Sequence, residues 1–193
     1  PYLNEKPLTR WFSHTDAGKE SGVEVVYAVP SQLARMLADG ELDAFHTARA
    51  PSTFYSEPDR VHRLFPDYAA VERDYFRRTR IFPIMHVVVV RAAVLDRFPW
   101  VAMNLFAAFD AAKARSQARL AEYTASRVPL PWVQPAAAAA QALFGPDPFP
   151  YGVAPNQVTL DAFLGWAQAQ GVTHRRLSPD DLFAPATLSR VRV

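Results

Sequence analysis

His86, Arg49 and a cluster of arginines at 77, 78 and 80 are side chains whose types and placing offer chemistry. His86 lies in the stretch RRTRIFPIMHVVVV, residues 77–90, where a polar, cationic approach gives way to a run of four valines. Histidine changes charge near neutral pH, so His86 is the candidate general acid. Its cationic neighbours are the kind of setting in which functional groups are found. The plain alternative is a core histidine bonded to backbone. Arg49 stands in the segment HTARAPS, residues 46–52. A guanidinium matches a carboxylate with two parallel hydrogen bonds, which makes Arg49 the candidate anion clamp. The alternative is a surface arginine at a helix end. Ser52 can donate to the same anion, or merely cap a turn. Arg77, Arg78 and Arg80 cannot all enter one site. Arg78 shares a helical face with Val71 and Tyr75 and is the one expected to point inward, beside the acid. Tyr151 and Asn156 fall in the proline-rich segment GPDPFPYGVAPN, residues 145–156. They offer a phenol donor and a two-way hydrogen-bonding amide on a stiff loop, against the equal alternative of a plain connecting turn. His46 and His86 make a weak metal pair, since no HxH or HxxxH spacing strengthens it, and no metal is expected. His14, His62 and His174 read as surface residues.

The elements that would position these groups follow from periodicity and punctuation. Residues 23–29, VEVVYAV, read as a strand. Pro30 and Ser31 open a helix in which Leu33, Met36 and Leu37 are spaced for one face, and Gly40 stops it. Residues 42–45 read as a second strand, completing a strand–helix–strand unit. In open α/β sheets the ligand lies beyond the carboxyl ends of the strands, which is where the Arg49 loop would fall. Residues 60–65 read as a short strand and residues 67–78 as a helix. Residues 84–90 read as a strand buried on both faces, because β-branched residues are so dense there. Downstream the reading is helical, over 91–98, 100–124, 136–143 and 157–170. A capped short helix follows from Ser178, with Pro179 at its first position. The four tryptophans read as core and helix anchors.

Composition bounds the remaining possibilities. The chain has 193 residues, 50% hydrophobic and 21% charged, an ordinary globular balance. A net charge of +2 and no basic stripe give no reason to expect nucleic acid as a partner. Without cysteine there is no disulfide, zinc-thiolate site or cysteine nucleophile. No apolar run is long enough to insert in a membrane. A homo-oligomer is compatible with the composition.

Several blocks, in order, carry a resemblance. LADGELDAF with ARAPS, RLFPDY, RRTRIFPIMHVVVVR, RFPWVA, FGPDPFPYGVAPN and RRLSPDDLFAP together resemble the 4,5-dihydroxyphthalate decarboxylase family, over residues 37–185. The resemblance implies an α/β fold of the type II periplasmic-binding-protein kind, two-lobed, with the ligand in the cleft. The family is longer at its N-terminus. Residues 1–80 would then be the remnant of a βαβ lobe, and residues 81–193 a crossing strand with helices returning to the other lobe. The implied activity is that of a carboxy-lyase acting on a small anionic aromatic substrate in the degradation of aromatic compounds. His86 and Arg78 would be catalytic, and Arg49, Ser52, Tyr151 and Asn156 would bind substrate. No cofactor is implied, and the glycine-rich phosphate cradle that would hold one is not seen. The compartment implied is the cytoplasm. The alternative is a non-catalytic solute-binding protein for a small anionic ligand, of the ABC-transporter type, which would place it in the periplasm.

Overall fold

The computed structural model describes residues 30–124 and 127–188. They form seven α-helices joined by loops and three 3-10 turns: α1 (Pro30–Asp39), α2 (Ser52–Ser56), α3 (Tyr68–Thr79), α4 (Ala92–Arg97), α5 (Val101–Ala121), α6 (Val133–Phe144) and α7 (Gln157–Ala169), with the turns Ala154–Asn156, Pro179–Asp181 and Pro185–Thr187. The chain divides into two units, Pro1–Glu72 with Gln170–Val172 and Arg73–Ala169 with Thr173–Val193.

In the first unit, α1 begins at a proline, where the missing N–H is no loss. It ends at Gly40, whose φ of +79° lets the chain turn back. There the Glu41 amide donates to the Met36 carbonyl at 2.9 Å. Leu33, Met36 and Leu37 are half-buried, as their spacing predicts, and Ala38 is fully buried. The short α2, to which the sequence reading assigns no element, packs on α1. The buried Thr53 hydroxyl joins them by donating to the Ala34 carbonyl at 3.1 Å. On the solvent side Arg35 grips Asp39 at 2.6 and 2.8 Å and reaches Glu57 at 2.9 Å. All three are exposed enough that the gain is small. Arg63 lies between the Phe54 and Tyr68 rings, 5.3 and 4.8 Å from their centroids.

In the second unit, α5 packs against α4, α6 and the Pro185–Thr187 turn. Leu160, Leu164 and Ala167 make a buried stripe at i, i+4, i+7 along α7. Phe76, Phe82, Phe144 and Phe149 form a connected aromatic cluster with centroid separations of 4.4 to 6.4 Å. These are ordinary tilted and edge-to-face geometries. At the end of α3, Arg80 adopts φ +59° and lays its guanidinium over the Phe76 ring at 4.4 Å. Farther along, Arg176 crosses α7 at Gly165 and donates to the Asp161 carbonyl at 3.1 Å. A Cβ on Gly165 would stand 2.6 Å from its Nη1.

The α/β expectation is overturned: the described residues contain no strand and no sheet, so the two-lobed periplasmic-binding-type architecture is not what they form. The proposed strand at 23–29 lies outside the described residues. Residues 42–45, 60–65 and 84–90 are loop. The physical reason is clearest at 84–90. A strand exists only where its amides and carbonyls pair with a neighbour, and β-branched composition expresses fitness for a pleated, half-buried surface rather than a backbone preference. Among the described residues no neighbour pairs with the run. It is anchored upstream, where the Phe82 amide donates to the Thr159 hydroxyl at 3.2 Å. Met85, Val88 and Val89 are 76%, 65% and 85% exposed.

Candidate functional site

Arg49 sits in the loop between α1 and α2, but residues 42–45 are loop, so the post-strand position expected for it is not formed. Its backbone is shaped by Thr47, whose hydroxyl accepts from the Arg49 amide at 3.3 Å and donates to the Arg49 carbonyl at 3.0 Å. The guanidinium is exposed and has no ion-pair partner among the described residues. Ser52 is the first residue of α2, three positions on. It is exposed, and its carbonyl accepts from the Ser56 hydroxyl at 3.3 Å. The structure therefore keeps Arg49 and Ser52 on one short loop–helix junction in the first unit.

Arg78 points outward rather than inward. It pairs with Asp74 across one helical turn at 2.8 Å, and both side chains are more than half exposed. The buried position of α3 is Phe76, so the inward face is turned away from the Val71 and Arg78 face picked from spacing. His86 is exposed in the irregular run after α3, with no hydrogen bond to the described residues. An open depression on α1 is lined by Gln32, Arg35, Met36 and Glu41, and none of the six candidate residues borders it. Its arginine is already committed to Asp39 and Glu57.

The most fully built polar constellation belongs to the segment carrying Tyr151 and Asn156. Asn156 closes the loop on itself: its side-chain amide donates to the carbonyls of Pro150 at 2.7 Å and Gly152 at 2.8 Å. Gly152 turns with φ +97°, and a Cβ there would meet the Phe106 ring at 3.7 Å. The Tyr151 ring packs edge-on against Phe106 of α5, with centroids 6.2 Å apart. Lys113, two turns farther along α5, holds its ammonium 4.2 Å from the Tyr151 ring centroid. The same ammonium donates to Asp147 at 2.6 Å and to the Phe149 carbonyl at 2.9 Å, and pairs with Asp110 at 2.9 Å. Gln117 adds a bond to the other Asp147 oxygen at 2.9 Å, and the Phe149 amide a third at 3.1 Å.

Lys113 and Asp147 are absent from the residues picked by sequence reasoning. A lone lysine in the middle of an alanine-rich helix looks solvated, yet its side chain is only 11% exposed. The available signal was Lys113 and Gln117 at i, i+4 on the helix carrying Phe106, facing a later aspartate in a proline-framed loop. Burial pushes the Lys113 ammonium down, but its bonds to Asp147 and Asp110 outweigh this and leave it above the ordinary lysine value. Burial likewise raises the Asp147 carboxyl, and its bonds from Lys113, Gln117 and the Phe149 amide bring it below the ordinary range.

Against this geometry, the chain is similar to an enzyme that removes carbon dioxide from an aromatic acid. The relative is a 4,5-dihydroxyphthalate decarboxylase of Comamonas testosteroni, 36% identical over 173 residues, which is 89% of this chain and 52% of that protein. The chain thus spans about half the length of the curated relative it matches. No family model matches the chain. Among the described residues no helix is long and apolar enough to cross a membrane.

Proposed function

We propose that this protein takes part in the decarboxylation of a hydroxylated aromatic dicarboxylate of the 4,5-dihydroxyphthalate type. The observation that carries the proposal is the 36% identity to such a decarboxylase along nearly the whole of this chain. The Arg49 guanidinium and the His86 ring, neither engaged by another of the described residues, are consistent with groups reserved for a ligand.

The chemistry dictates what the residues must do. Each carboxylate of the substrate is para to a phenolic hydroxyl. Direct loss of carbon dioxide would leave an aryl anion, which is too unstable. Protonating the ring carbon that bears one carboxylate first gives an intermediate stabilised by the para oxygen. The carbon–carbon bond then breaks, its electron pair returns to the ring, and carbon dioxide leaves. The proton taken up is the one that replaces the carboxylate. In this reading His86 supplies that proton and Arg49 holds the carboxylate that is retained. Ser52 assists Arg49, while Tyr151 and Asn156 belong to the substrate-binding loop. Arg78 is the cation assigned to the acid, for which it would have to leave Asp74.

The test is carbon dioxide release from 4,5-dihydroxyphthalate by the full-length protein. Arg49→Ala should raise KM with a smaller effect on kcat. His86→Gln should lower kcat by roughly two to four orders of magnitude with binding nearly intact, the usual worth of a general acid. Binding without any release of carbon dioxide would remove the enzymatic reading. Unchanged turnover in His86→Gln would remove the acid.

A further inference from the structure

Lys113 has the inventory of a substrate-binding cation and the geometry of something else. An ammonium has three donors. All three are spent, on Asp147, Asp110 and the Phe149 carbonyl. Nothing remains for a substrate carboxylate. What the ammonium still offers is its charge, and that faces the Tyr151 ring at 4.2 Å, where the ring quadrupole attracts a cation. Phe106 holds the same ring edge-on from the same helix. The Tyr151 hydroxyl, in contrast, makes no hydrogen bond to the described residues, and the side chain keeps 36% of its exposure. The result is a ring fixed by two neighbours with its phenol uncommitted. Behind it, Asp147 ties Lys113 and Gln117 to the loop, and Asn156 closes the loop's far end.

We infer that Lys113 is a positioning residue, which presents the Tyr151 phenol to an oxygen of the substrate by holding both the ring face and the loop that carries it. The inference rests on Tyr151 contacting substrate, as in the proposed function. It differs from a merely structural role in what it moves: the environment and orientation of one ring, and through them substrate binding.

The experiment uses the full-length protein carrying 3-fluorotyrosine. Fluorine NMR reads the Tyr151 resonance, identified by its loss in Tyr151→Phe, and steady-state assays with 4,5-dihydroxyphthalate read KM and kcat. Lys113→Met keeps most of the stem and removes the charge. It should shift and broaden the Tyr151 resonance and raise KM by the same factor as Tyr151→Phe, about 3 to 10, the worth of one hydrogen bond. The double variant should be no worse than either single, because both remove one interaction. Lys113→Arg should restore the resonance and most of the binding. If Lys113→Met does not fold, Asp147→Asn, which weakens the same anchor, should show the same two changes. An unaltered Tyr151 resonance in these variants, or KM losses that multiply in the double variant, overturns the inference. Failure of the functional reading looks different: the parent releases no carbon dioxide from 4,5-dihydroxyphthalate, while the resonance still decides whether Lys113 holds the ring.

Discussion

At the scale of single residues, Asn156 makes the sharpest prediction. Its amide nitrogen satisfies two loop carbonyls, and only an amide of that length does so. Asn156→Ala should lower stability by about 1–3 kcal/mol, the range for two part-buried bonds. The nearly isosteric Asn156→Asp should be worse, because it replaces a donor with an anion facing two acceptors. Urea unfolding midpoints of the two variants test the order. The Lys113–Asp147 pair predicts a pH profile. Asp147 is held below the ordinary carboxylate value, so the unfolded chain binds more protons than the folded one in acid. Its contribution is therefore complete above about pH 4 and disappears as pH falls through the lower folded value. Lys113 is held above the ordinary lysine value, so its contribution is complete below about pH 10 and disappears only as pH rises through the folded value. Stability measured against pH should show a plateau between these limits. Asp147→Asn should be less stable on that plateau and should lose the part of the acid-side slope that Asp147 supplies. An unchanged slope would show that other carboxylates carry it.

Among the elements, the aromatic cluster separates burial from contact. Phe76 is 7% exposed and Phe82 is 37% exposed, though both touch Phe144. Phe76→Ala should cost about 3–5 kcal/mol, the range for a buried phenylalanine, and Phe82→Ala clearly less. Equal losses would mean that the Phe82 ring contributes as much as a buried one despite its exposure, since alanine keeps the backbone bond to Thr159. The helices were the legible part of this chain. Leu33, Met36 and Leu37 announced α1, Gly40 its end, and Ser178 with Pro179 the start of the Pro179–Asp181 turn, where the structure adds Asp181 as acceptor for the Ser178 amide and hydroxyl. These signals are local, and the helix satisfies its own backbone. Strands were not legible in the same way, since the valines of 87–90 specify a backbone that needs a partner elsewhere. The polar constellation on the 145–156 loop was legible in part. Asn156 and Tyr151 could be seen in their proline frame, while Lys113 and Asp147, 34 residues apart, meet only through tertiary packing.

For the molecule as a whole, the uncovered run at 84–90 matters most. Apolar patches of this kind on a protein's surface favour association. Raising the concentration of the isolated chain should increase its weight-average mass in sedimentation. Val87→Lys with Val89→Glu should suppress that increase while leaving the free energy of unfolding within about 0.5 kcal/mol, as befits exposed positions. Mass independent of concentration in the parent would show that the run is not adhesive.

The glycine at 165 has a consequence for descent. Arg176 lies where a side chain at 165 would stand, and the guanidinium end of an arginine can swing away. Alanine at 165 would therefore be tolerated, at the cost of the bond to the Asp161 carbonyl, worth about 0.5–1.5 kcal/mol. That makes the two positions partners in substitution. Among related sequences, lineages that acquire a side chain at 165 should no longer keep arginine at 176, and those that keep glycine should retain it. Independent drift at the two positions across an alignment would dissolve the link.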